Sequence, residues 1–153
     1  VERSRGLGDV YKRQIQYTQE EIDFALEMQR NNGKPEIGID GKIKSLRETL
    51  KSPGGGSTDV GDVSYNVPVV SLNATTAPKG VPWHSWSVVA SSGMSIGHKG
   101  MLYAAKALGM TMVDIFKDSR LRDDIKKEFD ERIGEYEYDP FLDPGPPPIN
   151  YVD

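Results

Sequence analysis

Residues 95–117 read SIGHKGMLYAAKALGMTMVDIFK, the longest regular pattern in the chain. Apolar side chains recur there at intervals of four and three residues, which is the period of one helical face; they are Met101, Ala105, Leu108, Met112 and Ile115. Three further apolar residues widen this face until the helix is apolar nearly all round: Leu102, Val113 and Phe116. The pattern predicts a long helix packed in the centre of a domain, with its methionines as core filler.

The segments on either side of this helix predict two more helices. Thr18 is followed three residues later by Glu21, which is a capping box, and an apolar stripe then runs to about residue 30. Because acids in a first turn are favoured by the helix dipole, we interpret Glu20 and Glu21 as structural and not as paired glutamates of a metal site. After the long helix, Ser119 or the residue before it caps a third helix with apolar residues at intervals of four.

The glycine-rich segment at residues 53–62 reads PGGGSTDVGD and is the most unusual in the chain. Consecutive glycines are tolerated mainly in a linker or where the backbone approaches a ligand closely. Ser57, Thr58 and Asp59 follow them as a helix N-cap cluster, so the backbone N–H groups of this turn could receive a carboxylate or phosphate. A flexible linker fits the composition equally well.

The chain has two histidines, and each lies close to proline or glycine residues, which favour turns and helix ends. His84 stands between Trp83 and Trp86, where an imidazole is a metal ligand, a general base or a stacked structural side chain. His98 stands at the start of the long helix, as a capping side chain or a group that supports a metal ligand. Residues 67–72, which are rich in valine, predict a buried strand before the His84 loop.

Composition limits the function classes. The chain has 153 residues, no cysteine and a net charge of −4, which excludes a disulfide framework, a zinc ribbon and a thiol nucleophile. No apolar run reaches the roughly 20 residues of a membrane helix, and no basic face suggests nucleic acid. We expect a cytoplasmic protein that binds neither a membrane nor nucleic acid, and any metal must be held by histidine and carboxylates.

The two ends of the chain differ from its middle. Residues 1–14 lack any apolar period, and most of them resemble a translated cloning linker; a disordered basic arm is the alternative. Residues 137–153 are rich in proline and predict an extended tail.

Three strings together resemble one protein family: the glycine-rich residues 54–64, the PWHSW of residues 82–86, and the SIGHKGML that opens the long helix. They are similar to the C-terminal part of the di-zinc amidohydrolases and metallopeptidases that include aminoacylases and carboxypeptidase G, peptidase family M-twenty. The likeness runs from about Thr18 to about Tyr138 and is strongest to the branch that acts on aminobenzoyl-glutamate.

The resemblance implies an α/β fold, namely the C-terminal half of a zinc-peptidase-like catalytic domain with a sheet flanked by helices, incomplete as a chain. Residues 15–50 would be the end of a smaller lid domain and its connection, and residues 51–136 the half-domain itself. The partners implied are the missing N-terminal half of the same protein, a small N-acyl amino acid substrate, and further copies through the lid.

The family reaction is hydrolysis of an N-acyl or aryl-amide bond to an amino acid, with two zinc ions sharing a bridging water and a glutamate as general base. The resemblance implies that His84 is the last zinc ligand, and that a turn lies against the substrate's carboxylate side: Gly55, Gly56, Ser57, Thr58 and Asp59. Asp59 and Asp62 are explained equally well as capping groups that shape the loop. Manganese and cobalt stay open as alternatives to zinc, because one imidazole does not select among them.

The chain also departs from the family pattern, because it contains no His-x-Asp sequence. With two histidines alone, a complete two-metal site cannot be assembled. We therefore predict that no catalytic residue lies in this chain and that the isolated polypeptide is inactive, although the parent protein is an amidohydrolase. The alternative hypothesis is a stand-alone small α/β module whose glycine turn binds an anion without metal.

Overall fold

A computed structural model describes residues 14–41, 58–140 and 145–146. Five helices lie in these ranges: α1 (Gln19–Asn31), α2 (Val60–Asn66), α3 (Trp86–Ser92), α4 (Ser95–Lys117) and α5 (Ser119–Ile133). The chain divides into two compact units. Of the described residues, 14–41 and 71–119 belong to the first unit, and 58–70, 120–140 and 145–146 belong to the second.

The predicted α/β fold is wrong, because the described ranges contain helices and no β-strand. Residues 67–72, predicted as a buried strand, form no ladder there, and Val70 is 71% exposed. A strand needs a second backbone to pair with, and no other described segment supplies one. The same finding removes the α/β fold from the alternative hypothesis of a stand-alone anion-binding module.

Helix α1 begins with the predicted capping box. The backbone N–H of Glu21 donates to Thr18 Oγ1 at 3.3 Å, and the backbone N–H of Thr18 donates to Glu21 Oε2 at 2.7 Å. The buried side of α1 carries Glu21, Ala25, Met28 and Gln29. Because two of these four are polar, both must find hydrogen-bonding partners inside the first unit.

Gln29 has no exposed surface and joins α1 to two loops. Its Nε2 donates to the carbonyl oxygens of Gly38 and Lys79, both at 2.8 Å, and its Oε1 accepts from the Gly38 N–H at 2.8 Å. Leaving such buried backbone groups without partners costs about 1–3 kcal/mol each. The amide of Gln29 therefore fixes how both loops lie on α1.

Small residues bring α4 close to its neighbours in the first unit. Gly97 and Gly100 are buried, and a Cβ at either position would overlap backbone atoms, those of Ser92 and Thr75 respectively. The buried apolar side chains among the described residues are few: Ala25, Met28, Val81, Ile96 and Ala107. The inner side of α4 is thus formed mainly by glycine, alanine and one isoleucine.

The prediction that α4 is a buried central helix is wrong, although its predicted bounds are confirmed. Six of its large apolar side chains are 45% to 76% exposed: Met101, Leu102, Leu108, Met112, Val113 and Phe116. We call these six residues the apolar face of α4. Helical periodicity locates apolar side chains on a helix, but the small residues on its other side make the close contacts here.

Helix α5 begins at Ser119, as predicted, and its charged side chains form exposed ion pairs one turn apart. It ends at Gly134, whose φ of +59° suits glycine and whose N–H donates to Asp130 O at 2.9 Å. Within the described residues, no helix combines the length and apolarity needed to cross a membrane.

Two glycine substitutions on α4 test its packing. Gly100→Ala should lower the free energy of unfolding by about 2 kcal/mol, because the new methyl group meets the rigid Thr75 backbone. Gly109→Ala is the matched control: a Cβ there meets nothing within 4 Å, so it should stabilise the helix by roughly 0.5–1 kcal/mol.

Urea unfolding followed by tryptophan fluorescence measures both effects, since both tryptophans lie in the first unit. Equal changes in the two variants would contradict the close approach at Gly100.

Candidate functional site

His84 lies on an exposed turn before α3 and has a backbone φ of +61°. No other non-glycine residue of the described ranges has a positive φ. The Ser85 hydroxyl donates to Pro82 O at 2.6 Å across this turn. The left-handed conformation costs an L-residue roughly 1–2 kcal/mol, and strain of this kind is concentrated at functional sites.

The two tryptophans beside His84 leave its imidazole on an open surface. Trp83 is 70% exposed and Trp86 is 58% exposed. A structural histidine stacked inside an aromatic pocket would be enclosed by its neighbours, and this one is exposed. The structure therefore does not show the stacked structural arrangement, and the metal-ligand and general-base alternatives for His84 stay predictions.

The predicted glycine turn is only partly visible, because Gly55, Gly56 and Ser57 lie outside the described residues. Thr58 Oγ1 accepts from the Val60 N–H at 3.3 Å. Asp59 is the N-cap residue of α2 but makes no side-chain capping hydrogen bond. The interpretation of Asp59 as a capping side chain is therefore wrong, and Thr58 makes the side-chain bond at this helix start.

Asp62 lies in the first turn of α2. Its side chain, acting through hydrogen bonding, raises the pKa of Tyr138, and burial and the charge of Asp62 act in the same direction. His84 and His98 belong to the first unit, whereas Thr58, Asp59 and Asp62 belong to the second.

His98 does not cap α4, since Met94 occupies the N-cap position and makes no side-chain capping bond. His98 is exposed, but the next residue points inward. Lys99 Nζ lies 2.6 Å from Glu21 Oε2 and 3.0 Å from Gln16 O. The Ser95 hydroxyl donates to the other Glu21 oxygen at 2.5 Å.

Glu21 carries the strongest electrostatic perturbation near α4. Burial acts to raise its pKa, but hydrogen bonds from Lys99, Ser95 and the Thr18 N–H, together with the Lys99 charge, lower the pKa to about 2. Glu21 is therefore a fixed anion at neutral pH and not a proton acceptor. Burial, followed by the charges of Glu21 and Asp40, raises the pKa of Tyr17 to about 12.

The described residues do not fit a two-zinc centre by themselves. They contain no group of three histidine, cysteine, aspartate or glutamate side chains that could hold a metal ion. A zinc site in a protein takes three or four protein ligands, whereas His84 offers one. A metal at His84 would need ligands from outside the described residues.

Comparison with known proteins finds a partial relative. Over 72 residues, the chain is 44% identical to a p-aminobenzoyl-glutamate hydrolase subunit of Escherichia coli (strain K12). The match covers 47% of this chain and 15% of that protein. No family model and no solved structure matches the chain. Part of the chain is therefore similar to a p-aminobenzoyl-glutamate hydrolase subunit, and the chain spans a small share of that protein's length.

Substitutions at position 84 test the strain. His84→Gly should unfold with a free energy about 1 kcal/mol higher than His84→Ala, because glycine adopts a positive φ without a steric penalty. Both variants lack the imidazole, so the difference isolates the backbone. Thermal or urea unfolding measures it, and an equally stable pair would contradict the left-handed turn.

The acid sensitivity of the first unit should depend on Glu21. Its pKa is lowered from 4.5 to about 2 in the folded protein, so its stabilisation is complete above pH 4.5 and is lost as the pH falls toward 2. The ionised Glu21 contributes of the order of 3 kcal/mol to the free energy of unfolding, because one pKa unit corresponds to about 1.4 kcal/mol.

Urea unfolding at several pH values compares the native protein with Glu21→Gln and with Glu20→Gln, an exposed control on the same turn. Glu21→Gln should be less stable at pH 7 and should lose less stability on acidification. Parallel pH profiles for the native protein and Glu21→Gln would refute the role of this carboxylate.

Proposed function

We propose that this chain is part of a metal-dependent amidohydrolase that cleaves an N-acyl or aryl-amide bond to an amino acid, with substrates of the aminobenzoyl-glutamate type. The 44% identity over 72 residues to the p-aminobenzoyl-glutamate hydrolase subunit of E. coli carries this proposal. The motifs of the glycine turn, the His84 loop and the start of α4 support it. In the proposal the chain corresponds to a C-terminal part of the parent enzyme and is inactive alone.

His84 is the proposed metal ligand of this part. Its support is an exposed imidazole held in a strained turn. In the proposal the remaining ligands and the general base come from the other part of the parent protein. Zinc is the expected metal, with manganese or cobalt as alternatives, since imidazole binds all three.

The substrate's amino acid carboxylate is proposed to lie against the glycine turn, with Gly55, Gly56, Ser57, Thr58 and Asp59 around it. Hydroxyl and backbone N–H groups are the donors that a carboxylate needs. Because the Asp59 carboxylate repels an anion, only the backbone of Asp59 takes part in this contact in the proposal. In this proposal neither Asp62 nor His98 binds the metal directly.

The apolar face of α4 supports a requirement for more polypeptide. Soluble monomers rarely expose large contiguous apolar patches, yet six large apolar residues of this helix are 45% or more exposed. We propose that the other part of the parent protein covers this face. Assembly into oligomers through a lid domain belongs to the same proposal.

A chimera tests the proposed function. Residues 15–140 of this chain replace the equivalent segment of the E. coli relative, and glutamate release from p-aminobenzoyl-glutamate is measured with zinc, manganese or cobalt. The chimera should hydrolyse the substrate, and the isolated chain should not. His84→Ala should lower the kcat/KM of the chimera by at least about 100-fold, whereas Lys126→Ala on the exposed side of α5 should leave it unchanged.

Hydrolysis by the isolated chain would contradict the proposal that it is an incomplete part. A folded chimera that binds metal but releases no glutamate would contradict the proposed activity.

A further inference from the structure

Three tyrosines of the second unit form an aromatic cluster: Tyr65 on α2, and Tyr136 and Tyr138 in the segment after α5. The ring of Tyr65 lies 5.2 Å from that of Tyr136 at an interplanar angle of 40°. It lies 5.8 Å from that of Tyr138 at 16°. These separations fall in the range in which aromatic rings attract one another.

Local structure explains why the rings meet. Gly134 ends α5 with a positive φ, and the Tyr136 N–H donates to Ile133 O at 3.2 Å in the turn that follows. Asp62 lies three residues before Tyr65 and therefore on the same side of α2, where it acts on the Tyr138 hydroxyl and raises its pKa. The segment after α5 is thus held on α2 by ring contacts.

The cluster is open to solvent, although its rings stack. Tyr65 is 46% exposed and Tyr136 is 53% exposed, and α2 has no buried residue. The rings therefore pack against one another without being enclosed by a core. About half of two aromatic side chains remains available beside the carboxylate of Asp62.

We propose that the aromatic cluster and Asp62 bind an aryl group that carries a hydrogen-bond donor. The aryl group is the p-aminobenzoyl ring of the substrate, and this identification rests on the proposed function. The ring stacks on the exposed surface of Tyr65 and Tyr136, and its 4-amino N–H donates to Asp62. A carboxylate offers about four acceptor positions, so the proximity of Tyr138 leaves positions on Asp62 for the ligand.

The placement suits the proposed substrate. Asp62 lies one helical turn from Asp59, at the end of the segment that the proposed function assigns to the substrate's carboxylate side. The aryl-binding cluster and that segment both belong to the second unit. One small molecule with an aryl end and a carboxylate end would engage both.

Ligand-observed saturation-transfer NMR on the full chain tests the proposal with two neutral probes, p-aminobenzamide and benzamide, and with glutamate as a probe that lacks a ring. The native chain should bind p-aminobenzamide more tightly than benzamide and should not bind glutamate detectably. Tyr65→Ala should weaken p-aminobenzamide binding about 2- to 10-fold, whereas Tyr65→Phe should retain it. Asp62→Ala should reduce p-aminobenzamide affinity to that of benzamide.

Val89→Ala, which shortens a 74% exposed apolar side chain of the first unit, is the control and should leave probe binding unchanged. Circular dichroism verifies that each variant keeps its helices. Equal affinity of the native chain, Tyr65→Ala and Asp62→Ala for p-aminobenzamide would overturn the proposal, as would equal binding of the two amides.

The outcome is separable from that of the proposed function, because probe binding requires neither metal nor hydrolysis. An inactive chimera with Tyr65-dependent probe binding would leave the aryl site standing and refute the activity. An active chimera whose KM for p-aminobenzoyl-glutamate is unchanged by Tyr65→Ala would support the proposed activity and refute the aryl site.

Discussion

Two buried polar side chains on one side of α1 determine the arrangement of the first unit. Glu21 holds the start of α4 through Lys99 and Ser95, and Gln29 holds two loops through their backbone groups. A buried charge or amide is costly unless its hydrogen-bonding groups are paired. Because few apolar side chains are buried in the described residues, these polar contacts supply most of the specificity of packing.

The strained turn at His84 depends on the same helix. The Asn32 side chain, at the end of α1, donates to Ser87 Oγ at 2.7 Å, and Ser87 is completely buried in α3. Anchoring α3 in this way fixes the residues directly after His84 and allows its left-handed backbone to persist. The proposed metal ligand is thus positioned by packing that begins at α1, and not by its own neighbours in sequence.

The two exposed surfaces, the apolar face of α4 and the aromatic cluster, differ in chemistry and therefore in the kind of partner each favours. The apolar face of α4 is broad and carries large aliphatic and thioether side chains, which favour contact with more polypeptide. The aromatic cluster is small and lies beside a carboxylate, which favours a flat ring with a donor.

Features that depend on neighbours a few residues apart were determined by the sequence itself. The capping box at Thr18, the bounds of α4 and the start of α5 follow from local hydrogen bonds and the helical period, and the motifs around His84 indicated the relationship to a hydrolase of aminobenzoyl-glutamate. The tertiary structure alone decided which side of α4 is buried, that residues 67–72 have no strand to pair with among the described ranges, and that Lys99 meets Glu21 across 78 positions. Those outcomes depend on contacts between segments that are distant in sequence. Such contacts produce no periodic pattern in the residues that make them.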